Sequence, residues 1–488
     1  MQKSAAPDRA SDPLWVGIAA VAALTIYRVV LLAFSTAELF VDESQYWQWG
    51  QELAWGYYSK PPLIGWVLRA FTELGGDGDF WIRLPGPLFQ AATALVLMGA
   101  ARQIADRRAA AMVAVIYVSL PVAAAGSLLV STDTILLPFF AGAFWLYLRL
   151  TRHRSAPAAV ALGLCLGVGM LAKYAAIYFV IGAGIGAALA PQARIALRDA
   201  ALAALAFLAV LAPNLIWNLQ NDLMTFSHTA DNVDWVKRPG VHLNPAGAVE
   251  FLLAQFAVMG PITFGAYLWL APRALARADW APRWLVAMSL PTLLLVTLQA
   301  LLSKAYANWA VTACLGLLLL VVPVLWHRAR SLFWVALALN LALSAFLPIA
   351  ATQADRWAVG DHHRLLMRRY IGQGEMSSRI LEEARARGLS AVVSDDRHLL
   401  ADLFHKAKGS EIAIYAAPPA GRPENFYAQR HPYPATRQDG FLFATLNGAS
   451  ACGKTLPDAT WRPGPGIYAD DTLYLYVRHA PCWGGAEK

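Results

Sequence analysis

The sequence predicts a polytopic α-helical membrane protein of about eleven spans followed by a small C-terminal α/β domain. Three observations carry this. Of 488 residues, 58% are hydrophobic and only 15% are Asp, Glu, Lys or Arg, against roughly 25% charged in ordinary globular chains. The apolar residues fall in long runs, which a disordered or disulfide-stapled chain would not show. The basic residues sit between those runs, so the net charge of +8 is not gathered on one soluble face as nucleic-acid binding requires.

The first run, 14–34, is about 30 Å long as a helix, enough to cross a bilayer. Lys3 and Arg9 precede it, and its length is that of a retained signal anchor rather than of a cleaved signal peptide. Its lone charge, Arg28, is expected to face other helices and not lipid. Further runs lie at 84–101, 110–128, 132–150, 157–190, 200–217, 247–270, 284–302, 309–326 and 332–350. The run 157–190 is flanked by Arg152 and Arg154 on one side and by Arg194 and Arg198 on the other. The positive-inside rule puts both ends in the cytoplasm, so this run must cross twice, with Lys173 and Tyr174 near its outer turn.

Arg102, Arg107 and Arg108, then Arg273, Arg277 and Arg283, then His327, Arg328 and Arg330 fall on the cytoplasmic side by the same rule. The expectation is therefore a multi-pass protein of the cell inner membrane with its N-terminus in the cytoplasm. Segments 35–83 and 218–246 and the C-terminal domain then face the periplasm. No internal repeat is visible, which argues against a transporter built from inverted repeats.

Residues 1–351 form the expected membrane domain and 352–488 the soluble one, where charge becomes frequent and apolar runs short. Helix-like stretches at 375–388 and 397–407 alternate with strand-like runs at 389–394, 411–416, 440–446 and 472–477. Cys452 and Cys482 belong to this domain, where a disulfide could persist, whereas Cys165 and Cys314 lie in apolar spans and are expected to pack. The run Ser394-Asp395-Asp396-Arg397-His398 falls where a strand passes into a helix, and Ser or Asp there caps the helix. Phosphate-binding glycine loops and dinucleotide fingerprints are absent.

The chemistry concentrates in the first outer segment, Val41-Asp42-Glu43-Ser44-Gln45-Tyr46-Trp47-Gln48-Trp49, then Trp55-Gly56-Tyr57-Tyr58-Ser59-Lys60-Pro61-Pro62. Two adjacent carboxylates follow the first span, amid aromatic residues that in many membrane proteins form only an interfacial belt. The order of acidic pair, aromatic cluster, Trp-Gly-Tyr and Lys-Pro-Pro resembles the first periplasmic loop of the GT-C membrane glycosyltransferases. The likeness is to the bacterial branch related to protein O-mannosyltransferases and to lipid A aminoarabinose transferase. Ser131-Thr132-Asp133, Leu171-Ala172-Lys173-Tyr174, Pro213 to Asn218, Thr225-Phe226-Ser227-His228 and Ala307-Asn308-Trp309 resemble later motifs of that group in the same order.

The resemblance implies a GT-C fold and inverting sugar transfer from a polyprenyl-phosphate donor, commonly undecaprenyl phosphate, to a lipid, glycan or protein acceptor. An attacking hydroxyl must lose its proton, so a carboxylate is needed as base, and Asp42 is the candidate. Asp133 would lie near it, orienting the acceptor or stabilising oxocarbenium-like charge, and Glu43 would orient Asp42 or bind sugar hydroxyls. The leaving phosphate needs preorganised cations, for which Lys60, Lys173, Lys304 and Arg83 are candidates, although a lysine at a helix end also simply snorkels to the interface. Trp55, Tyr57, Tyr58, His228 and Asn308 are candidate substrate contacts.

No cofactor is required by this reading, and a divalent metal is possible but unsupported. Ser59 stands where the aminoarabinose branch has a metal-contacting Glu, and neither His228 nor the tandem His362-His363 has ligand spacing. The alternative reading is a flippase for a lipid-linked sugar, because intramembrane charge such as Arg28 also marks transport paths. A non-catalytic assembly protein is a third.

Overall fold

The computed structural model describes residues 12–233, 243–359, 364–437, 439–448 and 456–479. Cys452, Cys482 and His362-His363 lie outside the described residues. Six helices among those described are long and apolar enough to cross a membrane: Leu14–Ala33, Asp79–Ala101, Thr132–Leu150, Leu197–Gln220, Trp280–Leu302 and Arg330–Ala351. Two bent pairs add candidate spans, Arg107–Ser119 with Pro121–Leu128 at 53° and Pro245–Val258 with Pro261–Ala276 at 115°. Shorter apolar helices cover Ala156–Ala172, Tyr174–Leu189 and Ala313–Arg328.

Each expected run is therefore helical, but the run at 247–270 is not one straight span. Gly260 there has φ +80° and is followed by Pro261, and a left-handed glycine before a residue without an N–H cannot continue a helix. The run at 157–190 does divide in two. Its first helix ends at Ala172 because Lys173 is extended at φ −160°, ψ 134°, and a short 3-10 turn, Tyr174–Ala176, starts the second.

The chain forms two compact units. The first takes residues 1–33, 60–64 and 83–348. Within it Arg28 is 1% exposed, and its guanidinium donates to Val118 O and Ser344 Oγ, both at 2.6 Å. Val118 lies beside the break between Ser119 and Pro121, where a carbonyl loses its helical partner. Arg28 faces other helices, as expected, and serves as glue.

The second unit takes residues 34–59, 65–82 and 349–488, so most of segment 35–83 packs in one body with the C-terminal domain. Its five-stranded sheet has the order Ala413–Ala416, Ala391–Ser394, Phe441–Thr445, Leu473–Arg478, Ala459–Trp461. The first three strands are parallel, and Leu473–Arg478 runs antiparallel to both of its neighbours, Phe441–Thr445 and Ala459–Trp461. Ala391–Ser394 and Phe441–Thr445 are buried along their whole length, as central strands covered on both faces must be. Helix Arg397–Lys406 supplies the crossover between the first two strands in sequence.

Segment 35–83 is not an extended loop. It folds into helices Val41–Gln51, Leu63–Gly75 and Asp79–Arg83. In the first of these every residue from Glu43 to Gly50 is buried, which is why no apolar stripe announces it in the sequence. Trp47 and Trp49 are 1% and 0% exposed, so they are core residues of this unit and not an interfacial belt.

Candidate active site

Helix Val41–Gln51 is started by its own acids. Glu43 Oε2 accepts from the Phe40 backbone N–H at 3.0 Å, satisfying a donor that a helix start leaves orphaned. Both Asp42 and Glu43 lie in the first turn, where the helix dipole favours negative charge. Glu43 is 1% exposed and committed to this local structure.

Asp42 is the accessible member of the pair, with its side chain 44% exposed. Its Oδ1 accepts from Arg397 Nη2 at 2.5 Å, and its Oδ2 has no hydrogen-bond partner among the described residues. Arg397 also donates from Nε to Gln45 Oε1 at 2.9 Å. Burial works against the charge on Arg397, but the charge and hydrogen bond of Asp42 outweigh it and raise the guanidinium above its ordinary range. The cap expected in this stretch is present one residue earlier, since Asp396 Oδ1 accepts from the N–H groups of His398 and Leu399 at 2.7 and 3.0 Å.

In the first unit a second constellation forms around Asp133. Lys173 Nζ donates to both of its carboxylate oxygens, at 2.7 and 2.8 Å, and Asn308 Nδ2 donates to Oδ2 at 2.7 Å. Ser131 caps the helix that carries Asp133 by accepting from the Thr134 N–H at 3.3 Å. A carboxylate held by three such bonds is fixed in place and suited to orienting or stabilising charge more than to taking a proton. Lys173 and Asn308, expected at the donor phosphate and at the substrate, spend these contacts on Asp133. Tyr174 extends the polar end by donating to Asn214 Oδ1 at 2.9 Å and stacking on Phe226.

Lys60 and Arg83 belong to the same unit as Asp133. Lys60 is half-buried before Pro61, and Arg83 is 1% exposed. Lys304 is exposed in the short connection after helix Leu290–Leu302, and His228 is half-buried on helix Met224–Val233. Tyr57 stacks on Trp49 with ring centroids 4.7 Å apart and donates to Trp49 O at 2.7 Å. Tyr58 donates to Pro423 O at 3.0 Å. Both tyrosines are buried and bind the second unit together. Trp55 remains 48% exposed with its ring edge-on to Trp66. Among the described residues no three His, Cys, Asp or Glu side chains converge as a metal site would need.

Comparison with known proteins decides the family. The chain is 41% identical over 472 residues to the lipid A galacturonosyltransferase RgtD of Rhizobium johnstonii, covering 96% of this chain and 98% of that one. It belongs to the GT-C membrane glycosyltransferases. The family model for dolichyl-phosphate-mannose-protein mannosyltransferase matches residues 59–217. The fold matches ArnT from Cupriavidus metallidurans in the apo state at a TM-score of 0.65 and 15% identity, over 97% of this chain and 99% of that one. ArnT bound to undecaprenyl phosphate gives 0.66 and 15%, over 94% and 98%.

As a GT-C enzyme the protein is a multi-pass membrane glycosyltransferase. Within this frame Arg397 is the residue that sequence reasoning passed over. It lies 355 positions from Asp42, and nothing in the local pattern links the two.

Proposed function

We propose that this enzyme moves a uronosyl residue, galacturonic acid in the first instance, from a polyprenyl-phosphate carrier to lipid A on the side of the membrane away from the cytoplasm. The named activity of RgtD and its coverage of nearly the whole chain support the sugar and the acceptor. The undecaprenyl phosphate held by the ArnT structure supports the carrier. The basic residues between spans support an N-terminus in the cytoplasm and a periplasmic C-terminal domain.

The observation that carries the mechanism is the state of Asp42. One oxygen is fixed by Arg397 and the side chain is 44% exposed, so the other oxygen is open to an acceptor hydroxyl. Asp42 takes the hydroxyl proton while the hydroxyl oxygen bonds to the anomeric carbon. The bond from that carbon to the phosphate oxygen breaks and its electron pair leaves with the polyprenyl phosphate. A single displacement inverts the anomeric configuration. Lys60 and Arg83 are proposed to meet the charge on the leaving phosphate, and Asp133, held by Lys173 and Asn308, to steady positive charge at the sugar.

The test is transfer by purified protein in lipid nanodiscs, with lipid A as acceptor and synthetic polyprenyl-phosphate donors carrying a uronic acid, a neutral hexose or an aminopentose. Mass spectrometry is expected to show lipid A gaining one uronosyl unit from the first donor. Transfer only from one of the other two would overturn the sugar assignment.

A further inference from the structure

The helix that carries Asp42 and the first helix-crossover of the C-terminal sheet are zipped along their length. At one end Arg397 binds Asp42 and Gln45, which share a face of helix Val41–Gln51 because they are three residues apart. In the middle His405 meets the Trp47 ring edge-on at 4.6 Å. At the far end Lys408 Nζ donates to Gln51 Oε1 at 2.9 Å and to Asp77 Oδ2 at 2.6 Å, while Asp77 Oδ1 accepts from Trp47 Nε1 at 2.8 Å. These contacts fix the two helices to one another without help from Arg397.

Arg397 is out of place as a helix-stabilising residue. It is the first residue of helix Arg397–Lys406, where the dipole disfavours a cation. Its ion pair with Asp42 is about a third exposed on one side and more on the other, and pairs of that exposure add little to stability. What the guanidinium does accomplish is geometric. With Nε on Gln45 and Nη2 on Asp42 Oδ1, its planar fork permits one orientation of the carboxylate.

We infer that Arg397 is a positioning residue for the transfer reaction: the C-terminal domain reaches into the catalytic segment and clamps one oxygen of Asp42 so that the other addresses the acceptor hydroxyl. This rests on the reading of Asp42 as the base. It gives the C-terminal domain a direct part in turnover. Misplacing a reacting group by about 1 Å costs on the order of 100-fold in rate, so the clamp is worth a measurable share of kcat.

The experiment is steady-state kinetics of the full-length enzyme in nanodiscs with Arg397→Ala, Arg397→Lys, Gln45→Leu, Asp42→Asn and the double variant Asp42→Asn/Arg397→Ala. Arg397→Ala is expected to lower kcat about 10- to 100-fold while KM for donor and for acceptor stays near wild type. Arg397→Lys falls between, because it keeps charge and loses the fork, and added guanidinium ion restores part of the turnover of Arg397→Ala but none of that of Asp42→Asn. Gln45→Leu, which keeps both charges, loses less in the same direction and serves if Arg397→Ala does not fold. The double variant is no slower than Asp42→Asn alone. Wild-type kcat in Arg397→Ala, or an unchanged kcat with a raised donor KM, overturns the inference. Wild-type turnover in Asp42→Asn overturns instead the reading of the base on which it stands.

Discussion

Lys173 donates to both carboxylate oxygens of Asp133 across 40 residues of sequence, joining the start of helix Thr132–Leu150 to the break after helix Ala156–Ala172. The side chains are only 19% and 10% exposed, so each charge depends on the other to offset its lost hydration. The extended conformation of Lys173, which ends its helix, is what frees the side chain to turn back toward Asp133.

This pair predicts coupled variants. Asp133→Asn and Lys173→Met should each lower turnover, and each should lower the melting temperature of the purified protein by leaving one partly buried charge unmatched. The double variant should melt closer to wild type than either single one, a non-additivity expected for groups in direct contact. Strictly additive losses in a double-mutant cycle would show that the pair is not a unit.

Helices Ala156–Ala172 and Leu197–Gln220 cross closely at Gly163 and Gly167. A Cβ at Gly163 would stand 2.1 Å from the Ala203 carbonyl oxygen, and one at Gly167 would stand 2.7 Å from Val210 Cβ. This is the small-xxx-small packing by which helices associate in lipid. Gly163→Val should therefore cost several degrees of melting temperature or abolish folding, whereas Gly184→Val, with nothing within 4 Å of its Cβ, should be neutral. Equal melting temperatures for the two variants would remove the close crossing from the account.

The second unit carries a pH-dependent tie. His431 Nε2 lies 3.0 Å from Glu52 Oε1, and the nearby imidazole holds the Glu52 carboxyl below the ordinary value of 4.5. A folded pKa below the unfolded one adds stability that is complete above pH 4.5 and disappears as pH falls through the lowered value. Glu52→Gln should thus melt below wild type at neutral pH, with the gap closing under more acid conditions. A gap independent of pH would mean that packing, and not the charge on Glu52, makes the difference.

The membrane spans were legible because apolar runs and the arginines between them are properties of contiguous sequence. A break within 157–190 could be read from Arg152, Arg154, Arg194 and Arg198 alone, and the break does fall at Lys173. Helix Val41–Gln51 was not legible as a helix, since burial on nearly every side leaves no periodic contrast to detect. The motif residues split in the same way. Asp42 and Asp133 could be picked out by local order, but the contacts of Tyr57, Tyr58 and Glu43 depend on partners that only the fold supplies. Arg397 is the extreme case: a stretch that reads as a helix cap does hold a cap, at Asp396, and the neighbouring side chain answers to a helix at the opposite end of the chain.

The central claim is that Asp42 deprotonates the acceptor, and the single-turnover rate of Asp42→Asn with donor pre-bound tests it most directly. General-base assistance is worth about 10²- to 10⁴-fold. The account predicts a loss within that range, with donor binding, measured by competition with undecaprenyl phosphate, retained. A single-turnover rate equal to wild type would contradict it, and the proton would then have to leave by another group.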